Sequence, residues 1–262
     1  MENVLSRFAT VDSWETWVPD SHMLPFSLKL SISNLQLVRG KALSGMFIFL
    51  QSCRKNSSGL FSSTIVEDVF DMRKRGMASL AFFYCDFRDV NKKNLRGLLS
   101  SILLQLCDHS DSYSTILSDF YSENGDGSRQ PSDSELIGCL SDILKQPGQA
   151  PVYIIIDGLD ACPDTFGLPP PREKMLMFLD GLVDLHLQNL HVCITSRPEV
   201  DIQATINRLP FLTVSLHEES GQRQDIVNYI RSIVYTDAKM ERWRPEDKEL
   251  VINVLTKKAD GM

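Results

Sequence analysis

The sequence has no Cys-x-x-Cys pair and no cluster of cysteine and histidine at metal-binding spacing, although it contains six cysteines. This excludes zinc fingers and thioredoxin-type redox motifs. Most of the cysteines lie inside apolar runs, which favours reduced core cysteines of a cytoplasmic protein over a disulfide framework. The cysteines are Cys53, Cys85, Cys107, Cys139, Cys162 and Cys193.

The sequence also lacks a long hydrophobic run and a dense block of basic residues. No uncharged segment approaches the roughly 20 residues that span a bilayer, and the N-terminus does not have the pattern of a signal peptide, so we expect no membrane partner. Lys plus Arg number 27 against 34 Asp plus Glu, which gives a formal net charge of −7. We therefore expect no nucleic acid partner, and any phosphate ligand must be held locally.

The chain does have the composition of a globular domain, with 43% hydrophobic and 23% charged residues among 262. Residues 1–61 show no sustained hydrophobic period and form a poorly defined segment, apart from a strand-like part near 44–51. Residues 62–216 alternate between strand and helix patterns, and residues 217–262 are helical in pattern.

Buried-strand patterns alternate with amphipathic helices along the middle of the chain. The predicted strands are SLAFFYC (79–85), VYIIID (152–157), LHVCIT (190–195) and FLTVSL (211–216). The predicted helices are 62–75, with an N-cap among Ser62, Ser63 and Thr64, then 95–107, 135–146 after Ser134, and 173–186. This alternation predicts an α/β fold with a mostly parallel, doubly wound sheet, whose ligands bind at the carboxyl ends of the strands.

Two carboxylates follow the most hydrophobic of these strands. Asp157 ends VYIIID, and Asp160 lies in the turn that follows. A carboxylate at the end of a buried parallel strand is well placed to hold Mg²⁺ through its water shell beside the phosphates of a nucleotide. The alternative is a strand that simply ends at a polar turn.

Thr195, Ser196 and Arg197 follow the strand LHVCIT. The guanidinium of Arg197 offers a fixed fork of donors that could bind a terminal phosphate. In the alternative interpretation, Arg197 pairs with Glu199 or Asp201 within a loop.

A third polar cluster, Asp86, Arg88 and Asp89, follows the strand SLAFFYC. We expect these residues to cap the next helix and to form surface ion pairs rather than to contact a ligand.

Taken together, several segments resemble the NACHT-type NTPase domain of the STAND class, in the fungal nephrocystin-like N-terminal group. They are LAFFYCDFRDVNKKNLRGLLSSILLQLC, SRQPSDSEL, VYIIIDGLDACP, HVCITSRPEVDI and LHEESGQRQDIVNYIRSIV. The resemblance implies a P-loop NTPase-like three-layer sandwich that binds ATP or GTP with Mg²⁺ and acts as a signalling switch. It also implies protein partners or self-association, and it makes 217–262 the start of a helical lid, which we expect to be truncated.

The resemblance implies a role for each candidate residue. Asp157 corresponds to the Walker B aspartate that holds Mg²⁺ through water, Asp160 to an acid that orients water, and Arg197 to a sensor-like residue. The pattern of the family, D-x-L-D-E-C-P, has a glutamate where this chain has Ala161. We therefore expect hydrolysis to be impaired more than binding.

The Walker A loop of the family, G-x-x-G-x-G-K-[ST], is missing before the first predicted helix. The chain instead reads GMFIFLQSCRKNSSGLFSS, in which Lys55 is the candidate phosphate ligand. Asn56 follows Lys55 and lacks the hydroxyl that would bind Mg²⁺, and no glycines allow the backbone to wrap around phosphates. Two functions stay open: a nucleotide-binding switch with an impaired site, and a non-catalytic interaction or oligomerisation module.

A displaced reading frame would explain the missing loop. If Cys53, Arg54, Lys55 and Asn56 are encoded by TGC, AGG, AAA and AAC, a shift of one nucleotide gives Ala, Gly, Lys and Thr. On this hypothesis, sequencing the transcript across this segment shows a frame change or a different splice junction. An uninterrupted message encoding QSCRKNSSG contradicts it and favours a domain that has lost its loop.

Overall fold

The computed structural model describes residues 46–51, 57–108, 110–125, 128–165, 167–215, 220–237 and 239–259. Most of the segment 1–61, including Lys55, lies outside these residues. The described residues fall into two compact units, divided between Val214 and Ser215. No helix in the described ranges is both long and apolar enough to cross a membrane.

The first unit is built on a parallel sheet. Its strands are β1 (Met46–Gln51), β2 (Ser79–Tyr84), β3 (Val152–Asp157), β4 (Leu190–Ser196) and β5 (Leu212–Ser215), in the order β2-β3-β4-β1-β5. The pairs β2 with β3, β3 with β4 and β4 with β1 are all parallel. Because parallel neighbours share one direction, the carboxyl ends of β1, β3 and β4 lie together at one edge of the sheet.

Helices connect the strands, as parallel pairing requires. In the first unit they are α1 (Ser57–Lys74), α2 (Leu95–Cys107), α3 (Asp111–Glu123), α4 (Asp133–Leu144), α5 (Pro171–Asp184) and α6 (Val200–Ile206). Short 3₁₀ turns cover Val90–Lys92 and Leu159–Ala161, and the second unit holds α7 (Ser220–Thr236) and α8 (Pro245–Ala259).

Both faces of the sheet are covered. Consecutive strand residues point to opposite faces, yet Ile154, Ile155 and Ile156 of β3 are all at most 2% exposed. A strand that is buried on both sides needs a layer on each face. The predicted α/β three-layer sandwich with a mostly parallel sheet is therefore confirmed.

One side chain secures the edge strand β2 against helix α2. The side-chain amide of Gln105 accepts a hydrogen bond from the backbone N–H of Phe82 at 3.0 Å and donates one to its carbonyl at 2.7 Å. The free edge of a sheet otherwise presents unpaired backbone groups. Gln105 thus replaces part of the missing neighbouring strand.

Two predicted helix starts are wrong. Helix α1 begins at Ser57, ahead of the predicted Ser62, because several serines in this stretch can cap a helix and the apolar period does not choose among them. Helix α4 is capped by Ser132 and not by Ser134. The Ser132 hydroxyl accepts from the Glu135 N–H, while the Glu135 carboxylate accepts from the Ser132 N–H at 2.7 Å, which makes a capping box.

Two helices and one strand differ from the sequence-based predictions, because they bury few apolar side chains. Helix α3 buries only Tyr113 and Leu117, a stripe too narrow to give a clear period. Helix α6 was also not predicted, since it is short. The expectation that the segment 211–216 forms a buried strand is wrong: β5 is an edge strand, and Leu212 is 46% exposed.

We expect Gly97→Ala to destabilise the fold, because a Cβ on Gly97 would stand 1.7 Å from the backbone carbonyl oxygen of Asn91. The loss should be about 1–3 kcal/mol of unfolding free energy, the usual cost of overpacking. The matched control is Gly181→Ala in α5, where no atom lies within 4 Å of the new methyl group. That variant should gain about 0.5–1 kcal/mol. Urea unfolding followed by circular dichroism measures both, and equal effects would contradict the packing of this turn.

Candidate functional site

The ends of three neighbouring strands bring the sequence-predicted residues together. Asp157 ends β3, and Thr195 lies one residue before the end of β4. The Thr195 hydroxyl donates a hydrogen bond to the Asp157 carboxylate and accepts one from the backbone N–H of Gly158 at 3.0 Å. Gln51, the last residue of β1, is paired in register with Ser196. The connection from β1 to α1 therefore starts beside this polar group.

A left-handed residue turns the chain sharply after Asp157. Gly158 has φ +72°, a conformation that side chains with a Cβ rarely adopt. The turn leads directly into the 3₁₀ segment Leu159–Ala161, which carries Asp160 back towards the end of β4. Ala161, where the family pattern has glutamate, lies in the same segment.

Asp160 and Arg197 form the central ion pair of the site. One carboxylate oxygen of Asp160 accepts from the Arg197 Nε at 2.7 Å, and the other accepts from the Arg197 backbone N–H at 3.0 Å. The Asp160 side chain is 14% exposed and that of Arg197 is 36% exposed. The bond to Asp160 raises the pKa of Arg197, so the guanidinium stays charged at any working pH.

The sequence alternatives for Arg197 are resolved by these contacts. Glu199 is a distant partner, with 3.9 Å between its carboxylate and the guanidinium, and Asp201 pairs with a different arginine. The main partner is Asp160, which the sequence places far away along the chain. Both carboxylate oxygens of Asp160 are used by Arg197, so the water-orienting role expected for Asp160 stays a prediction.

Arg172 is a site residue that the sequence analysis missed. It is 7% exposed, and its guanidinium donates to the backbone carbonyl of Asp160 at 2.8 Å and to that of Cys162 at 2.9 Å. The same group lies 3.4 Å from the carboxylates of Asp164 and Asp201. Arg172 thus fixes the turn that carries Asp160 and joins it to the start of α6.

A signal for Arg172 was present in the sequence. It precedes Met175, Leu176 and Leu179 by three, four and seven positions, which places it on the buried stripe of α5. A cation on such a stripe must find partners, because a buried charge without them is costly.

The neighbouring thiols do not supply a nucleophile. The backbone N–H of Cys85 donates to the carbonyl of Asp157 at 2.8 Å, which ties the end of β2 to the site. A hydrogen bond with Cys162, together with burial, holds the pKa of the Cys85 thiol well above its usual value. Because the thiolate is the reactive form, this pair is structural.

The cluster Asp86, Arg88 and Asp89 follows the sequence expectation in part. Asp86 and Arg88 form an ion pair at 2.8 Å, and the bonds from Arg88 lower the pKa of Asp86 to about 2. Asp89 accepts from the backbone N–H of Asn91 and caps the short 3₁₀ turn. The expected surface ion pair is confirmed, whereas the expected cap of the helix at 95–107 is wrong, because Asp89 caps the short 3₁₀ turn and Asn94 caps α2.

The site holds one carboxylate suited to magnesium. The described residues contain no group of three or more His, Cys, Asp or Glu side chains that could hold a metal ion. Mg²⁺ beside a nucleotide needs fewer protein ligands, since one or two carboxylates, water and phosphates complete its shell. Asp157, oriented by the Thr195 hydroxyl, fits that requirement.

We expect Arg172→Met to destabilise the first unit by about 1–3 kcal/mol, because two buried carbonyl groups lose their donor. The matched control is Arg208→Met, since the guanidinium of Arg208 donates to the Ala204 carbonyl in an exposed position. Thermal and urea unfolding measure the difference between the two variants. A loss no larger for Arg172→Met than for Arg208→Met would show that the turn does not depend on this arginine.

Comparison with solved structures shows what this fold is similar to. A structure of Drosophila ORC bound to DNA aligns with TM-score 0.53 and 12% identity over 96% of this chain and 54% of that chain. The ADP form of the Aeropyrum pernix ORC2 protein aligns with TM-score 0.50 and 14% identity over 95% and 60%. The chain thus spans little more than half of these proteins. At such identities the likeness shows the fold alone, a P-loop NTPase-like sandwich.

Sequence comparison gives a closer assignment. No curated protein matches the chain. The family model for the N-terminal region of nephrocystin 3 matches residues 59–197, from the start of α1 to Arg197. This range contains Asp157, Asp160 and Arg172, and it covers more than half of the sequence. The chain therefore belongs to the nephrocystin 3 N-terminal family.

Proposed function

We propose that this chain is a nucleotide-binding switch domain of the NACHT/STAND type, with an impaired phosphate site. The observation that carries the proposal is the meeting of Asp157 with the Asp160–Arg197 pair at the carboxyl edge of the sheet. This edge is also where β1 ends and, after a short connection, α1 begins at Ser57. A strand, a short loop and a helix in this arrangement form the usual phosphate site of the P-loop fold.

Asp157 is the residue that would hold Mg²⁺ through its water shell. The ion would supply charge neutralisation between the phosphates of ATP or GTP. Thr195 keeps the carboxylate of Asp157 aimed at the edge by donating to one of its oxygens. Asp157 is half-buried, so its carboxylate is not sealed inside the core.

Arg197 is the residue that would sense the terminal phosphate. Its Nε is bound to Asp160, and the guanidinium remains 36% exposed. A phosphate competes well for a guanidinium, since it offers charged acceptors in a matching geometry. Transfer of Arg197 from Asp160 to phosphate would free the Asp160 carboxylate, which could then orient water. Such an exchange of partners is a two-state element that a ligand can bias.

We also propose that the affinity of this chain for a nucleotide is weak. The segment Ser52–Asn56 has no glycine, so its backbone cannot approach and wrap the phosphates as a Walker A loop does. Lys55 supplies a charge without that cradle.

We also propose 62–216 as the nucleotide-binding core and 217–262 as the start of its lid, in a cytoplasmic protein with protein partners. DNA is a ligand in the Drosophila ORC structure, but the net charge of −7 supports no such partner for this chain.

The second candidate function is a non-catalytic interaction module. The observation that favours it is that Asp160 and Arg197 already satisfy each other. Ala161 in place of a glutamate points the same way. A domain that serves only to bind protein partners needs no charged group at this edge that is available to a nucleotide. Measurements of nucleotide binding therefore distinguish the two candidate functions.

We expect a fluorescent ATP analogue with Mg²⁺ to bind with a dissociation constant of about 1 mM, about −4 kcal/mol. Asp157→Ala should abolish this binding, whereas Asp180→Ala, on the exposed side of α5, should leave it unchanged. Binding in the micromolar range would show that the phosphate loop is not needed. The absence of any binding, or binding insensitive to Asp157→Ala, would favour the interaction module.

A variant with a restored phosphate loop provides a second test of nucleotide binding. The triple variant Cys53→Ala, Arg54→Gly and Asn56→Thr retains Lys55 and restores the sequence Ala-Gly-Lys-Thr. It should tighten binding by about tenfold or more, and the gain should vanish when Asp157→Ala is added. Equal affinity before and after the repair would show that the strand ends do not form a nucleotide site.

A further inference from the structure

The loop between β2 and α2 presents two large apolar side chains to solvent. Phe87 is 65% exposed and Val90 is 67% exposed. They lie close together in sequence, on the loop that begins beside Asp157 at the carboxyl edge of the sheet. Neighbouring apolar side chains that stay outside the core mark a surface for a protein partner.

This loop, residues 86–94, is held in one conformation. The backbone N–H of Asp86 donates to the carbonyl of Lys92 at 2.9 Å, which closes the loop at its base. Asn94 caps α2 by accepting from the N–H of Gly97 at 2.9 Å. The carbonyl of Asn91 packs so closely on Gly97 that no Cβ fits there. Because the loop is already ordered, binding through Phe87 loses little conformational entropy.

A groove of about 550 Å³ lies between α3 and α4. Its size falls in the range of about 300–1,000 Å³ that is usual for binding pockets. Ile116 and Phe120 contribute apolar surface to it, and the Cα of Gly138 faces open space.

The groove is also acidic. Asp119, Glu123 and Asp142 line it, and within the described ranges none of the three forms an ion pair. Glu135, which also lines it, is paired with Arg129 at 2.6 Å. A groove in which apolar side chains lie beside unpaired carboxylates suits an apolar side chain flanked by cations.

Loop 86–94 has that chemistry. Lys92 and Lys93 follow Val90, and neither forms an ion pair among the residues described by the structure. Lys92 is exposed, and Lys93 reaches the carbonyl of Phe87 at 3.4 Å. The loop therefore carries an aromatic side chain, a branched aliphatic one and two cations on one short segment.

The end of the loop lies close to one end of the groove. Arg96, at the start of α2, donates to the carbonyl of Pro131 and pairs with Asp133 at 3.6 Å, so the start of α2 contacts the start of α4. Two complementary surfaces that lie near each other suit a two-fold dimer, in which each is used twice.

We propose that two copies of this chain associate about a two-fold axis, with loop 86–94 of each copy in the α3–α4 groove of the other. Phe87 packs against Ile116 and Phe120 of the groove, and Lys92 and Lys93 face its three unpaired carboxylates. Aromatic side chains that fill a pocket supply much of the affinity of an interface, and the charges around them set its specificity. The contact does not require bound nucleotide.

Charge reversal tests the pairing. One variant carries Lys92→Glu and Lys93→Glu, and the other carries Asp119→Lys and Glu123→Lys. Each alone places like charges opposite each other and should raise the dimer dissociation constant about tenfold or more. An equimolar mixture has complementary charges at both contacts, so it should recover the dimer. Sedimentation velocity over a concentration series of the full chain measures all three samples.

The aromatic contact is tested separately. Phe87→Ser should weaken the dimer, whereas Met177→Ser, at 62% exposure on α5, should not. Circular dichroism spectra identical to the wild type would show that each variant is folded. Wild-type protein that stays monomeric throughout the series overturns the proposal. So does a mixture that fails to recover the dimer, an equal effect of the two serine variants, or an assembly larger than a dimer.

Discussion

The polar edge of the sheet depends on the hydrogen bonds and ion pairs that the buried guanidinium of Arg172 makes. It donates hydrogen bonds to the backbone carbonyl groups of Asp160 and Cys162. Without Arg172, these two carbonyl groups under the turn after β3 would lack this donor. It also faces the carboxylates of Asp164 and Asp201, so one cation joins the turn to the start of α6. With the turn fixed, the side chain of Asp160 can hold Arg197 from two directions. The geometry of the candidate site is therefore set from inside the domain.

The sequence predicted the parts of this arrangement that depend on burial along one segment. The run Val152–Asp157 is apolar because both faces of β3 are covered, and that alone identifies a central parallel strand that ends in a carboxylate. The same argument places Arg197 after β4 at the same edge. Helix α2 was equally clear, since a wide stripe of leucine and isoleucine is buried along it. Fold and site location both follow from patterns of this kind.

What the sequence could not predict depends on pairing between distant segments. Arg197 had acidic neighbours at Glu199 and Asp201, yet the bond went to Asp160, because the turn at Gly158 brings that carboxylate closer. Asp201 was then left for Arg172, in a contact that also relies on the helix α5. The sequence suggests ion-pair partners that are close along the chain, whereas the folded protein pairs residues that are close in space.

Under the proposed function, the internal pairing of the site explains how the domain stays folded without a Walker A loop. A cation placed to receive a phosphate would destabilise an empty site if it had no other partner. Here Arg197 is neutralised by Asp160, and Asp157 is bonded to Thr195, so neither charge needs a ligand. Such a site does not need the glycines of a Walker A loop to keep its fold. Under the proposed function, its phosphate affinity would depend on whether an anion can displace Asp160, a competition that the net charge of −7 does nothing to favour.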